Sequence, residues 1–409
     1  MLAPSRGGLQ GPPGEPPTPR WLQGLDLPMQ VSRRPWDRRT RWRRARRIGL
    51  IAALLVTFPA LVSYASMLTQ RSDSSLSIRT VEWLRDNGLR GVVNQVESIY
   101  YTLNAPATGG PALRALPKLP GAGHALTASS AHARRVYYRP LPIRPVIRPA
   151  LRGEGVWHST FAHSGSRPPV LVTSFRPDPN YPQNVAGLAW IDHTRTSVWL
   201  YPGLQEPAVS MPSRGPMEVP SRMRSRLVAT FNSAFKLADS GGGFVSGGHT
   251  YAPLKPGQAT ILRYRNGRVD IRAWTGGSIA GPAVVYARQN LPLIVNNGHL
   301  TPNLSNGPEW GATLGNAIRV WRSGVGIDRH GNLIYAAANI QTVASLAEIL
   351  KRAGAVRAME LDINTYWPSF ITYRRPGAIG AANLLASMDR SPQRYLTPDD
   401  RDFFAVYLR

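Results

Sequence analysis

The chain reads Leu227-Val-Ala-Thr-Phe-Asn-Ser-Ala-Phe235 in its middle and Val356-Arg-Ala-Met-Glu-Leu-Asp-Ile-Asn364 near its end. Each stretch begins as an apolar run that predicts a buried strand, and each run stops at polar residues. Polar side chains just past the ends of buried strands are where α/β proteins usually build their sites. We therefore expect Asn232 and Asp362 to lie in the functional site.

Strand patterns surround these two stretches. One hairpin is predicted across Asn266-Gly267, a strong hairpin signal, and another across residues 329–332. The clearest helix of this region is predicted at Thr342–Arg352, with its apolar residues on one face and Gly354 as its cap. Further strands are predicted at residues 170–174, 186–191, 197–201 and 403–408. So many strands with so few helices predict a β-rich, mixed-sheet α+β domain over residues 153–409.

An apolar segment at residues 48–68 contains no charged residue and is long enough to cross a bilayer as a helix. The preceding residues 1–47 hold eleven arginines against three acidic residues and are expected to be disordered. Because basic residues stay on the cytoplasmic side, we predict a single-pass signal anchor with the C-terminal domain outside the cell. The alternative is a cleaved signal peptide, with Ser63-Tyr-Ala65 as its cleavage site.

Two further segments connect this anchor to the domain. Residues 69–104 carry two amphipathic helical patterns separated by Asn87-Gly88. We expect these helices to form a stalk, in preference to packing on the main domain or on the membrane surface. Residues 105–152 are rich in proline and glycine, which predicts an extended linker.

Composition narrows the function. The 409 residues include no cysteine, which excludes disulfides, thiolate metal sites and a cysteine nucleophile. The net charge of +26 favours an anionic partner. A nucleic acid is a poor candidate because the domain is predicted to lie outside and carries no recognised binding motif. The histidines lack metal-ligand spacing, so no metal site or other cofactor is predicted, and the need for a divalent metal stays open.

Four polar residues are the main candidates for chemistry. Asp362 can act as a general acid/base, a nucleophile or a metal ligand, and its plainer interpretation is a turn cap. Asn364 shares a face with Asp362 if the strand continues, and Asn232 has turn formation as its alternative. Arg322 lies beside Trp321 and suits a phosphate, although a surface arginine is the simpler interpretation.

Aromatic and imidazole side chains add two weaker candidates. His249 follows a glycine-rich run and is kept as a substrate-binding residue. Trp367 offers a flat face for a sugar ring, as Tyr366 does. Packing in the aromatic core is at least as good an explanation for the tryptophan.

The order of the motifs carries more information than any one of them. Phe231-Asn-Ser-Ala-Phe235 is followed by Arg322-Ser-Gly-Val-Gly-Ile327, the helix at 342–352 and Leu361-Asp362. This order resembles the phosphodiester glycosidase domain family and its many bacterial members. That family reads approximately Asn-Gly-Gly-Phe-Phe, then Arg-Thr-Ala-(Ile/Val)-Gly-Ile, and finally Leu-Asp-Gly-Gly-Gly-Ser. The resemblance covers residues 225–408, and residues 155–224 are expected to belong to the same domain.

The resemblance implies hydrolysis of a sugar-1-phosphodiester at the sugar–phosphate bond. Arg322 would then hold the phosphate, and Asp362 would act as acid/base or stabilise an oxocarbenium-like transition state. Asn232 would hydrogen-bond the substrate. Gly326 would contribute to substrate binding as part of the Arg322 motif.

The chain departs from the family pattern at its glycines. Asn-Gly-Gly-Phe is replaced by Asn-Ser-Ala-Phe, and the last glycine run by Ile363-Asn-Thr-Tyr-Trp-Pro368. Such changes reshape a pocket because glycine permits close approach to a ligand. Asn364 and Thr365 can supply hydrogen bonds, and Trp367 a sugar platform, in their place.

These expectations combine into one functional hypothesis. The chain is predicted to be a membrane-anchored, outward-facing hydrolase that acts on a phosphate-linked glycan of the envelope. The alternative is a weakly active or inactive member that binds an anionic cell-wall polymer.

Overall fold

The computed structural model describes residues 38–409 except 71, 73, 105–106, 124–137, 161–166, 305–307, 312–318 and 376. Most of the segment predicted to be disordered, residues 1–37, lies outside the described residues. The chain divides into two units, Met1–Ser63 and Tyr64–Arg409. The site lies in the second unit.

The α-helices are α1 (Arg38–Thr69), α2 (Leu76–Leu84), α3 (Arg90–Leu103), α4 (Leu237–Ser240) and α5 (Val343–Arg352). Helix α1 is long and apolar enough to cross a membrane. A signal sequence near an N-terminus has the same length and composition, so these two properties do not distinguish an anchor from a signal peptide. A kink at Asn87 and Gly88, where the backbone is not helical, separates α2 from α3. There Gly88 has a φ of 86°, which suits glycine at the helix junction predicted from the sequence.

The strands form three sheets. They are β1 (His158–Ser159), β2 (Val170–Phe175), β3 (Ala186–Ile191), β4 (Thr196–Tyr201), β5 (Leu227–Asn232), β6 (Phe244–Ser246), β7 (His249–Ala252), β8 (Ala259–Tyr264), β9 (Val269–Ala273), β10 (Val284–Gln289), β11 (Val295–Asn296), β12 (His299–Leu300), β13 (Val320–Asp328), β14 (Leu333–Gln341), β15 (Ala355–Glu360), β16 (Phe370–Arg375), β17 (Ile379–Asn383) and β18 (Phe403–Leu408). The eight-stranded sheet has the order β1-β2-β3-β14-β13-β15-β11-β12. The two five-stranded sheets have the orders β7-β6-β10-β8-β9 and β17-β16-β5-β18-β4.

The central strands of the eight-stranded sheet are buried on both faces, which explains why they are largely apolar. In β14, Leu333, Tyr335 and Ala337 belong to the core shared with the two smaller sheets. The alternate residues Ile334 and Ala336 pack with α5 on the other face. This alternation follows from the two-residue repeat of a strand.

Helix α5 covers the second face of that sheet. It begins at a capping box in which Thr342 and Ser345 satisfy each other's backbone N–H groups. Its buried residues are those on the predicted apolar face: Val343, Leu346, Ala347, Ile349 and Leu350.

The predicted fold class is confirmed: the domain is β-rich α+β. Every strand pairing in the described part of the chain is antiparallel, as in β13 with β14 and with β15. The usual placement of sites past the strand ends of α/β proteins, whose sheets are mostly parallel, therefore does not explain the site of this antiparallel fold. The ends of β5 and β15 meet because the two sheets that contain them pack face to face.

Candidate active site

The end of β5 and the end of β15 are joined by hydrogen bonds. The backbone N–H of Asp362 donates to the carbonyl of Ser233 over 3.2 Å. From β13, the Ser323 hydroxyl donates to the carbonyl of Asp362 over 2.7 Å. Three elements from distant parts of the sequence therefore fix the backbone around Asp362.

The side chain of Asn232 holds this junction together. Its Nδ2 donates to the Ser323 hydroxyl over 3.0 Å. Its Oδ1 accepts from the Tyr335 hydroxyl over 2.9 Å and from the backbone N–H of Ser369 over 3.0 Å. Since Asn232 is buried and its amide is engaged on both sides, its geometry is that of a residue that positions the site.

The carboxylate of Asp362 faces Arg401, which lies in the loop before β18. Arg401 Nη2 donates to Asp362 Oδ2 over 2.6 Å, and both side chains are buried. The backbone N–H of Asn364 donates to the other oxygen, Oδ1, over 3.1 Å. Burial raises the pKa of Asp362, and the attraction of Arg401 and this N–H opposes the increase only in part.

A small cavity opens beside this carboxylate. Its volume is about 30 Å³, room for about two water molecules. The wall from the globular domain includes Phe235, Lys236, Asp362, Asn364, Trp367 and Arg401. The opposite wall comes from the helices near the N-terminus, through Glu82, Arg85, Arg90 and Asn94.

Helices α2 and α3 therefore pack on the domain at this cavity. Glu82 forms an ion pair with Lys236, and Arg90 Nη1 lies 3.2 Å from Asp239 Oδ1. Farther along, the hydroxyls of Ser72 and Ser74 donate to Asp400 over 2.6 and 2.8 Å. The stalk that we expected from residues 69–104 is thus replaced by the alternative, packing on the main domain.

Trp367 is surrounded by arginines. The guanidinium carbons of Arg390, Arg394 and Arg401 lie 5.2, 5.1 and 5.0 Å from the centre of its ring. Arg394 also donates to the Trp367 carbonyl over 3.0 Å and pairs with Asp399, whose Oδ1 accepts from the backbone N–H of Arg401. This network ties the loop after Asp362 to the loop that carries Arg401.

The structure brings three of the eight predicted site residues to the cavity wall: Asp362, Asn364 and Trp367. Asn232 lies directly behind the wall. Thr365 lies between Asn364 and Trp367 along the loop but is not part of the cavity wall among the described residues. The roles that we assigned to these residues stay predictions.

Arg322 has a different environment from the one expected for a phosphate ligand. It is buried, pairs with Glu360 Oε1 over 2.5 Å, and donates to the carbonyls of Gln341 and Trp310 over 3.0 and 2.9 Å. It does not line the described cavity. Its engagement within the protein explains its burial, while phosphate binding by Arg322 stays a prediction.

Gly326 and His249 lie apart from the cavity. Gly326 is in the middle of β13, where an added Cβ would lie 2.7 Å from the Cβ of Ala355. Its small size therefore serves the packing of neighbouring strands. His249 is exposed on the edge strand β7, with its ring 4.6 Å from that of Tyr251.

Sequence reasoning did not find Lys236, Arg401 or Glu82. Lys236 directly follows the Asn-Ser-Ala-Phe motif, and Arg401 lies in the acidic run Asp399-Asp-Arg-Asp402, so both had a local signal. Glu82 had none, because it comes from a helix more than a hundred residues away in sequence. Within the described residues, no group of three or more His, Asp or Glu side chains could hold a metal ion.

Residues 225–362 match the sequence model of one protein family. The family is the phosphodiester glycosidases. The match begins just before β5 and ends at Asp362, so it contains both strand ends that build the site. The resemblance predicted from the sequence motifs is thereby confirmed.

Three solved structures are similar to the phosphodiester glycosidase-like domain at low identity. The zebrafish N-acetylglucosamine-1-phosphodiester alpha-N-acetylglucosaminidase catalytic domain, auto-inhibited by its pro-peptide, is 16% identical, with 62% of this chain and 87% of that chain covered and a TM-score of 0.41. A hypothetical protein from Synechocystis is 14% identical, with 59% and 62% covered and a TM-score of 0.34. An exported protein from Burkholderia pseudomallei K96243 is 12% identical, with 55% and 74% covered and a TM-score of 0.28. Among curated proteins, none matches this sequence.

Proposed function

We propose that this protein is a membrane-anchored hydrolase that cleaves a sugar-1-phosphodiester outside the cell. The observation that carries the proposal is the buried carboxyl of Asp362, which faces Arg401 at a cavity and is the last residue of the region that matches the phosphodiester glycosidase family. The substrate class follows from that family. The cationic side chains of the cavity wall suit a substrate that carries a negative charge.

Asp362 is assigned the proton transfer. Hydrolysis breaks the bond between the anomeric carbon and the phosphate oxygen, and the bonding electrons leave with the phosphate. In its protonated form, which burial favours by raising the pKa, Asp362 gives a proton to that oxygen and regains one from the water that supplies the new hydroxyl. Between these two proton transfers Asp362 is a carboxylate, and Arg401 stabilises it because its guanidinium already contacts Oδ2.

Substrate entry requires a change at the cavity. Small-molecule sites usually enclose roughly 300 Å³ or more, about ten times the volume found here. Since α2 and α3 form one wall, their displacement is the simplest way to admit a sugar phosphate.

The test uses the full chain, purified in detergent and assayed for product release from a panel of sugar-1-phosphodiesters. We expect Asp362→Asn to lower kcat by about 100-fold or more, the usual range for losing a general acid. Asp389→Asn is the matched control, because Asp389 is an exposed carboxylate outside the cavity wall. Full activity of Asp362→Asn would remove Asp362 from the reaction.

A binding protein is the second candidate. It is favoured by Ile363, whose buried side chain occupies the position of a family glycine and packs with Phe235 and Val320. No turnover of any panel member by the wild-type protein, together with retained binding of an anionic glycan, would select this candidate.

A further inference from the structure

Both walls of the cavity carry cations and anions, and one contact between the walls joins Lys236 of the domain to Glu82 of a separate helix. Lys236 directly follows the Asn-Ser-Ala-Phe motif at the end of β5, and Arg401 lies in the loop before β18. Glu82 is on α2, which precedes the domain by many residues. The side chain of Lys236 is only 11% exposed, and Arg401 is also buried.

Glu82 is held as a carboxylate in this position. It forms ion pairs with Lys236 and with Arg85, the latter over 3.2 Å. Burial acts to raise the pKa of Glu82, but Lys236, Arg401 and Arg85 outweigh it and the pKa is lowered. Glu82 is therefore one of the negative charges that compensate these buried cations, beside Asp362 at Arg401 and Asp86 at Lys236.

We propose that Lys236 and Arg401 form the phosphate subsite of this protein, and that Glu82 occupies it here in place of the phosphate. A phosphodiester carries one negative charge and presents two acceptor oxygens, as a carboxylate does. Exchange of Glu82 for substrate would thus leave the charge of the buried site unchanged.

The location of this subsite fits the chemistry proposed above, on which the inference rests. Arg401 donates to Asp362, so a phosphate bound by Arg401 lies next to the carboxyl that transfers the proton. Arg322 is poorly placed to bind the phosphate, because its guanidinium already contacts Glu360 and two backbone carbonyls. The cavity of about 30 Å³ leaves no room for a phosphate until Glu82 withdraws.

The experiment measures binding of inorganic phosphate to the full chain in detergent, by equilibrium dialysis and by the phosphate-dependent rise in Tm. We expect Glu82→Gln to bind phosphate at least about ten-fold more tightly than wild type, because the competing charge is gone. Adding Lys236→Met to Glu82→Gln should return the affinity to the wild-type value or below. Glu82→Asp, which keeps the charge but withdraws it by one methylene, covers the case in which Glu82→Gln does not fold.

Glu97→Gln is the matched control. Glu97 also pairs with Arg85 and is on α3, but it does not line the cavity. An equal gain in affinity from Glu97→Gln would mean that net charge alone is responsible and would overturn the proposal. So would unchanged affinity in Glu82→Gln. Tighter phosphate binding without turnover of any sugar phosphodiester would leave the subsite standing and refute only the hydrolase.

Discussion

Arg322 and Glu360 form an ion pair inside the domain. Both side chains are essentially inaccessible to water. The second carboxylate oxygen, Glu360 Oε2, has no hydrogen-bond partner among the described residues. A carboxylate in this environment is poorly stabilised, and burial raises the pKa of Glu360 to about 7 although Arg322 opposes the increase.

This pKa makes stability depend on pH. In the unfolded chain Glu360 has the ordinary glutamate pKa of 4.5, and in the folded protein its pKa is about 7. Between these two pH values the folded state keeps a proton that the unfolded chain has already lost. Stability therefore falls as the pH rises through this range, by about 3 kcal/mol when complete. We expect the Tm of the full chain to decrease from pH 5 to pH 7.

Glu360→Gln cannot titrate at this position and should flatten that decrease. The comparison is between slopes of Tm against pH within each protein, because the substitution also changes the stability itself. Glu348→Gln, on the partly exposed surface of α5, should keep the wild-type slope. An unchanged slope in Glu360→Gln would assign the pH dependence to other groups.

The residues of the site could be predicted from the sequence where they lie next to a recognisable strand end. Asp362, Asn364 and Trp367 follow a strand whose end is visible in the sequence, and all three line the cavity. Arg322 was recognised as special, but its partner Glu360 is on another strand, and only the pairing of β13 with β15 brings them together. Glu82 could not be found from sequence, because nothing in α2 indicates which surface its polar residues contact.

Strand β13 contains two glycines, Gly324 and Gly326, because β15 and α5 pack too closely against it for a larger side chain. At Gly326, an added Cβ would lie 2.7 Å from the Cβ of Ala355 and 3.1 Å from the carbonyl of Arg357. At Gly324 it would lie 3.0 Å from the Leu350 side chain of α5 and from the carbonyl of Met359. The motif therefore keeps β13 close to β15 and α5.

Gly326→Ala should destabilise the domain by about 1–3 kcal/mol, the usual cost of overpacking a core. Thermal unfolding of the full chain measures the effect. Gly281→Ala is the matched control, because an added Cβ there meets no atom within 4 Å. Equal Tm values for the two variants would contradict the packing explanation.

The helical pattern of residues 69–104 was predicted correctly, but its packing was not. An amphipathic pattern predicts that one face of the helix is buried, but it does not identify the surface against which that face packs. In α2 and α3 the covered residues include Ile78, Glu82 and Val93, and the contacts that decide the arrangement are ion pairs to Lys236 and Asp239. Ion pairs between distant segments have no signature in sequence periodicity.

The orientation proposed for the whole protein can be tested with a single cysteine, since the chain has none of its own. Ile279 is 75% exposed on a loop of the globular domain, so Ile279→Cys introduces one accessible thiol. We expect a membrane-impermeant maleimide to label this variant in intact cells.

A cysteine in the basic N-terminal segment, at Ser5, is the matched control and should react only after the cells are permeabilised. The reverse pattern would place the domain in the cytoplasm. Recovery of the labelled domain without α1 would instead support the cleaved signal peptide.

The hydrogen bonds from Ser72 and Ser74 to Asp400 have a mechanical consequence. They lie within five residues of the end of α1, and Asp400 is the neighbour of Arg401 along the chain. Tension applied to the polypeptide from the side of α1 loads these two hydroxyl contacts together with the contacts of Tyr64 to Thr80 and Trp83 on α2. A pull from that side therefore reaches the loop of Arg401 directly, through Asp400.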